Sequence, residues 1–154
     1  QEIQRLIART LRGALDMEAL GEKTLLVDCD VIQADAGTRT ASITGSWMAL
    51  QKACSLLEQK GVVSENILPR QVAAVSVGLL EGKPFLDLDY KEDSSADVDF
   101  NVVMDSDGRF LELQGTAEKK SFTKLQLDSL LSIADQGLRD IQSVQRDLLL
   151  TSKV

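Results

Sequence analysis

The chain has 154 residues, with 17 lysines and arginines against 24 aspartates and glutamates, a net charge of −7, and no histidine. Imidazole general bases and histidine-ligated metals are therefore excluded. With 44% apolar residues at this length the chain can bury a continuous core, so one globular unit over residues 1–154 is expected.

Gln1 opens on a helical pattern already running at Ile3, which reads as a piece of a longer chain. Ile3, Leu6, Ile7, Thr10, Leu11, Ala14 and Leu15 recur at three- and four-residue steps and predict a first helix, ended by Gly21. The run Thr24 to Ile32 is leucine-rich and β-branched, with Asp28 and Asp30 on one side, and predicts a buried strand. A loop over 33–39 precedes a second amphipathic helix on Ile43, Trp47, Leu50, Cys54 and Leu57, stopped at Lys60-Gly61. Strands over Val72 to Leu80 and Pro84 to Tyr90 form one hairpin, and strands over Val98 to Met104 and Arg109 to Gln114 another. A long helix on Leu127, Leu130, Leu131, Ala134, Leu138 and Ile141 closes the chain, with Ser121 or Thr123 as its N-cap. This order is α+β, with a mixed or antiparallel sheet covered by helices on one side. Trp47, Phe85, Phe100 and Phe110 are read as packing residues. Cys29 and Cys54 lie in apolar runs outside any Cys-x-x-Cys pair and read as buried, reduced thiols of a cytoplasmic protein. No apolar stretch approaches the roughly 20 residues of a membrane span, and the first residues carry no leader pattern.

Two constellations carry chemistry. Asp35-Ala36-Gly37-Thr38-Arg39-Thr40 lies between the predicted strand and the second helix. Glycine lets backbone approach an anion, Thr38 is placed to cap the helix, and the N–H groups of the first turn with Arg39 suit phosphate. A plain surface N-cap is the alternative. The second is the acidic tract Asp87 to Asp99, with Asp87, Asp89, Glu92, Asp93, Asp97 and Asp99 against Lys91 alone. Such carboxylates repel unless a cation neutralises them, and a magnesium ion held by one or two carboxylates plus phosphate oxygens would do so. An EF-hand is excluded, because the sixth position from Asp87 is Glu92 and the twelfth Val98. A solvated sheet edge is the alternative here. Arg5, Arg9 and Arg12 share a face of the first helix and read as solvated, with nucleic-acid contact as the second reading.

These strings resemble the ribonuclease PH family over nearly the whole chain: QEIQRLIARTLR at 1–12, LLVDCDVIQADAGTRTASITG at 25–45, VAAVSVGLLEGKPFLDLDYKEDSSADVDFNVVM at 72–104 and DGRFLELQGTAE at 107–118. The resemblance implies a ribosomal protein S5 domain 2-like fold, a hexameric ring of dimers, and phosphorolytic trimming of tRNA precursor 3′ ends in the cytoplasm, with nucleoside 5′-diphosphates as product. It also implies that Gly37, Thr38 and Arg39 bind the attacking phosphate. Asp87 and Asp93 match the family's D-x5-D pattern, whose aspartates hold a divalent metal and assist the leaving group. Ala36 departs from the second glycine that many members carry there. The family's N-terminal portion, with much of its basic RNA-binding surface and a further phosphate-binding arginine, has no counterpart in this chain. Because phosphate is already an anion, such a reaction needs positioning and charge neutralisation and no histidine base. Two rivals are a catalytically silent ring subunit of an exosome-like assembly and a metal-dependent hydrolytic nuclease.

Overall fold

The structure is a computed structural model and describes residues 2–151. Helix α1 (Glu2–Ala14) buries Leu6, Thr10, Leu11 and Ala14. The expected run to Gly21 is interrupted at Asp16, whose carboxylate accepts from the N–H groups of Glu18 and Ala19 and so starts a separate turn, α2 (Met17–Leu20), closed by Gly21.

The expected strand from Thr24 to Ile32 is absent, and residues 22–37 hold neither helix nor strand. A strand exists only with a ladder partner, and no described strand pairs with this run. Most of its apolar side chains are accordingly outside, with Leu26 at 93% and Ile32 at 98% exposure, while Leu25 is half-buried against the α1–α3 core. Cys29, expected to be buried, is exposed with the run, its Sγ 3.1 Å from Ser46 Oγ. Cys54 is buried as expected, and burial pushes its thiol pKa up.

Helix α3 (Thr38–Gln59) buries Ile43, Trp47, Leu50 and Cys54, and the Trp47 indole donates to the Arg70 carbonyl at 2.7 Å. Four strands follow: β1 (Val72–Leu80), β2 (Lys83–Leu86), β3 (Val98–Asp105) and β4 (Phe110–Ala117). They form one sheet in the order β2-β1-β3-β4 with every pairing antiparallel. Strand β2 stops at Leu86, short of the expected Tyr90, because Asp89 caps a short helix, α4 (Tyr90–Ser95), that the acidic tract conceals. The final helix, α5 (Lys124–Thr151), starts where Thr123 Oγ1 accepts from the Gln126 N–H and Gln126 Oε1 accepts from the Thr123 N–H.

Helices cover both faces of the sheet, where one covered face was expected. Alternation divides β1: Ala73, Val75, Val77 and Leu79 meet Leu130, Ala134 and Leu138 of α5, whereas Val72 and Ala74 join Ile43, Trp47 and Leu11 on the α1–α3 side. Buried glutamines tie α5 to the strand ends, Gln142 donating to the Met104 carbonyl and Gln145 to that of Val72. Phe100 is buried edge-on against Phe122, with ring centres 5.8 Å apart. Phe85 and Phe110, expected inside, are exposed: Phe85 lies on the edge strand β2 and Phe110 at the start of the other edge strand, β4.

Gly115 on β4 stands opposite Phe100 on β3, and a Cβ there would overlap the Phe100 ring. Gly115→Ala should therefore cost about 1–3 kcal/mol. Thermal or denaturant unfolding reads this, and an unchanged midpoint would refute the close packing.

Candidate active site

The two constellations meet at one end of the sheet. On the first, Ala36 and Gly37 both take positive φ, at 63° and 62°, which turns the chain sharply into α3. Gly37, not Thr38, is the N-cap; no side chain caps this end, and no acid lies in the first turn. The Thr40 hydroxyl donates to the Gly37 carbonyl at 2.9 Å, and the Ser42 hydroxyl donates to that of Thr38 at 2.7 Å. A 22-residue helix thus begins on uncapped donors with a cation, Arg39, in its first turn. That sign opposes the helix dipole and suits an incoming anion.

On the second, the structure sorts the acids by what each already does. Asp89 and Glu92 form a capping box on α4. Asp97 is buried and ion-paired with Lys120 at 3.2 Å. Asp35, from the first constellation, accepts the Tyr90 N–H at 3.1 Å and ties the 33–37 loop to α4. Asp87, Asp93 and Asp99 make no ion pair among the described residues.

Asp87 follows β2 with φ at 55°, its N–H held by the Ser76 carbonyl at 2.8 Å. This places its Oδ1 3.9 Å from where a Gly37 Cβ would stand, so Asp87 faces the start of α3. Asp99, outside the expected site residues, lies on β3 within electrostatic reach of both Asp93 and Arg39. Its carboxyl pKa is raised, chiefly by burial, next by the Asp93 charge, with a further push from Glu118; Arg39 and the Phe100 N–H pull it partly back. Asp93 and Asp99 repeat the spacing that relates Asp87 to Asp93, so the signal was present but pointed to two pairs.

Among the described residues no cluster of three or more Asp, Glu, Cys or His side chains is placed to hold a metal unaided. Two neighbouring acids, Asp93 and Asp99, beside a single arginine nevertheless fit a divalent cation that completes its shell with water and substrate oxygens. A cleft of about 790 Å³ lies elsewhere, between α1, the 23–31 run and α3. Apart from Thr38 it includes none of the expected site residues. Arg9, on the basic face of α1, pairs with Glu112 at 2.6 Å, while Arg5 and Arg12 are exposed.

Comparison with known proteins gives the class. Residues 1–55 match domain 1 and residues 70–137 match domain 2 of the 3′ exoribonuclease family, and the chain belongs to that family. Among its relatives are proteins named ribonuclease PH: that of Parasynechococcus marenigrum is 62% identical over 99% of this chain, and that of Prochlorococcus marinus 61% identical over 97%. The chain spans 61% and 62% of those two relatives' lengths. Among solved structures, rice Rrp46 superposes with a TM-score of 0.71 over 97% of this chain and 65% of its own, at 16% identity. An archaeal exosome core gives 0.67 over 94% and 62%, also at 16%. The shared architecture is the α+β, ribosomal protein S5 domain 2-like fold expected from the sequence.

The Asp99 carboxyl keeps its proton to higher pH when folded than when unfolded. Its contribution to stability is present below the ordinary aspartate range and is lost as pH rises through the raised value. In chelator, between about pH 4 and 7, Asp99→Asn should flatten this loss and raise the unfolding midpoint at the upper end. Superimposable pH profiles for the two proteins would contradict the burial and charge assigned to Asp99.

Proposed function

We propose that this chain carries the phosphate-binding and acidic parts of a phosphorolytic 3′–5′ exoribonuclease that trims the 3′ ends of tRNA precursors in the cytoplasm and acts also on rRNA. Residues 1–154 act as one unit within a hexameric ring of dimers. The observation that carries this reading is the uncapped start of α3, with Arg39 in its first turn, set against Asp93 and Asp99.

Gly37, Thr38 and Arg39 hold inorganic phosphate, the glycine by giving access to backbone and the arginine by charge. Phosphate attacks the 3′-terminal phosphodiester, the bond from phosphorus to the 3′ oxygen breaks, and a nucleoside 5′-diphosphate leaves. The departing 3′ oxygen needs a proton. Asp93 supplies it from a carboxyl oxygen, with Asp99, whose own pKa is raised by burial and by the Asp93 charge, beside it. Asp87 and Asp93 are the residues that would hold magnesium, with water and phosphate oxygens completing its shell; when bound it would supply neutralising charge on the scissile phosphate. Arg39, Asp87 and Asp93 are all retained, which favours an active enzyme over a silent exosome-like subunit.

In the full-length protein, incubation of RNA with inorganic phosphate should release nucleoside diphosphates, and omission of phosphate should stop degradation. Nucleoside monophosphates formed without phosphate would instead establish a hydrolase. Arg39→Ala should raise KM for phosphate about ten- to a hundredfold, the range for losing a hydrogen bond to a charged group. Asp93→Asn should lower kcat about a hundredfold or more, and unchanged turnover would remove Asp93 from the mechanism.

A further inference from the structure

Ser76 lies in the middle of β1, 4% exposed, and its hydroxyl is buried without a hydrogen-bond partner among the described residues. A buried hydroxyl normally finds a partner, because leaving it unmatched costs the desolvation of the group. On β1 it belongs to the face of Ala74 and Gly78, the face turned toward α3, and its strand partner is Asn101 on β3. The hydroxyl is aimed at the start of α3. The point where a Gly37 Cβ would stand is 3.6 Å from Ser76 Oγ, 3.6 Å from Thr40 Oγ1 and 3.9 Å from Asp87 Oδ1. Ser76 also holds Asp87 through the backbone, its carbonyl accepting the Asp87 N–H.

Two acceptors surround Gly37 beside this hydroxyl. Thr40 has already committed its own proton to the Gly37 carbonyl, so its oxygen is free only to accept. Asp87 presents a carboxyl oxygen, a stronger acceptor than a hydroxyl. An Asp87 carboxylate this close to the N-terminus of α3 also repels any phosphate that binds there, unless its charge is directed and dispersed by a donor.

We infer that Ser76 is a positioning residue for the phosphate site, its hydroxyl donating to Asp87 Oδ1 and so orienting that carboxylate and dispersing its charge beside Gly37 when phosphate occupies the start of α3. The inference rests on the phosphate-binding role proposed above. It adds a residue from the middle of an otherwise apolar strand, outside both sequence constellations.

The test uses the full-length protein with inorganic phosphate as the probe, read by titration calorimetry and thermal unfolding, together with KM for phosphate and kcat in phosphorolysis. Ser76→Ala should weaken phosphate binding and raise its KM about three- to tenfold, the effect of one ordinary hydrogen bond, with kcat little changed. In the absence of phosphate, the same variant should unfold at the wild-type temperature or above it, because an unmatched buried hydroxyl has been removed. A merely structural serine would lower stability and leave the phosphate KM alone. If wild type binds phosphate, Arg39→Ala abolishes that binding, and Ser76→Ala binds as wild type does, the role of Ser76 is overturned while the phosphate site stands. If wild type takes no phosphate, the phosphate site and the role of Ser76 fall together.

Discussion

Leu88 occupies the notch that Gly78 leaves on β1, where a Cβ would stand 2.6 Å from Leu88 Cδ1 and 2.7 Å from the Val98 carbonyl oxygen. That close approach is the constraint on which the acidic end of the molecule depends. With Leu88 buried, the chain leaving β2 must turn down onto the sheet at Asp87 and rise again at Asp89 to start α4. Asp87 therefore takes a left-handed φ at a position that is not glycine, a strain the surrounding contacts must hold. The same small-residue face of β1, Ala74, Ser76 and Gly78, lets α3 and its entry turn lie close to the strand.

The acidic tract is then less a uniform negative patch than a division of labour. Its capping box builds α4, and the Asp97–Lys120 pair fastens the start of β3 to the segment after β4. What remains uncompensated stands near Arg39 and the uncapped end of α3. Much of the −7 charge of the chain lies in this one tract, so net charge says little about whether an RNA is bound.

Much of this was legible before the fold. Strand β1 was bounded correctly because a run that is apolar but for Ser76, between polar flanks, leaves few alternatives, and both hairpins followed from Glu81-Gly82-Lys83 and Asp105 to Gly108. Gly37, Thr38 and Arg39 were placed on the right turn, though the cap belonged to glycine, because a left-handed residue already closes the helix start. Helix α4 was missed because Asp89 and Glu92 read as charge when they act as caps. Asp99 was missed because D-x5-D spacing occurs twice in the tract, and only the sheet register decides which carboxylate is half-buried near Arg39. The strand at 24–32 failed for another reason: strand propensity is a statement about fitting a neighbour, and none of the described strands lies beside it.

That run has a further consequence for how the chain behaves in solution. Thr24 to Ile32 combines high β propensity, contiguous apolar side chains and open backbone donors and acceptors, which are the ingredients of edge-to-edge self-association. Asp28 and Asp30 interrupt it at its centre, on either side of Cys29. In any strand formed by this run they stand on the same face two residues apart, so stacking one copy on another in register brings like charges together at two successive rungs. Charges at the centre of such a segment oppose, by repulsion, its in-register pairing with a copy of itself.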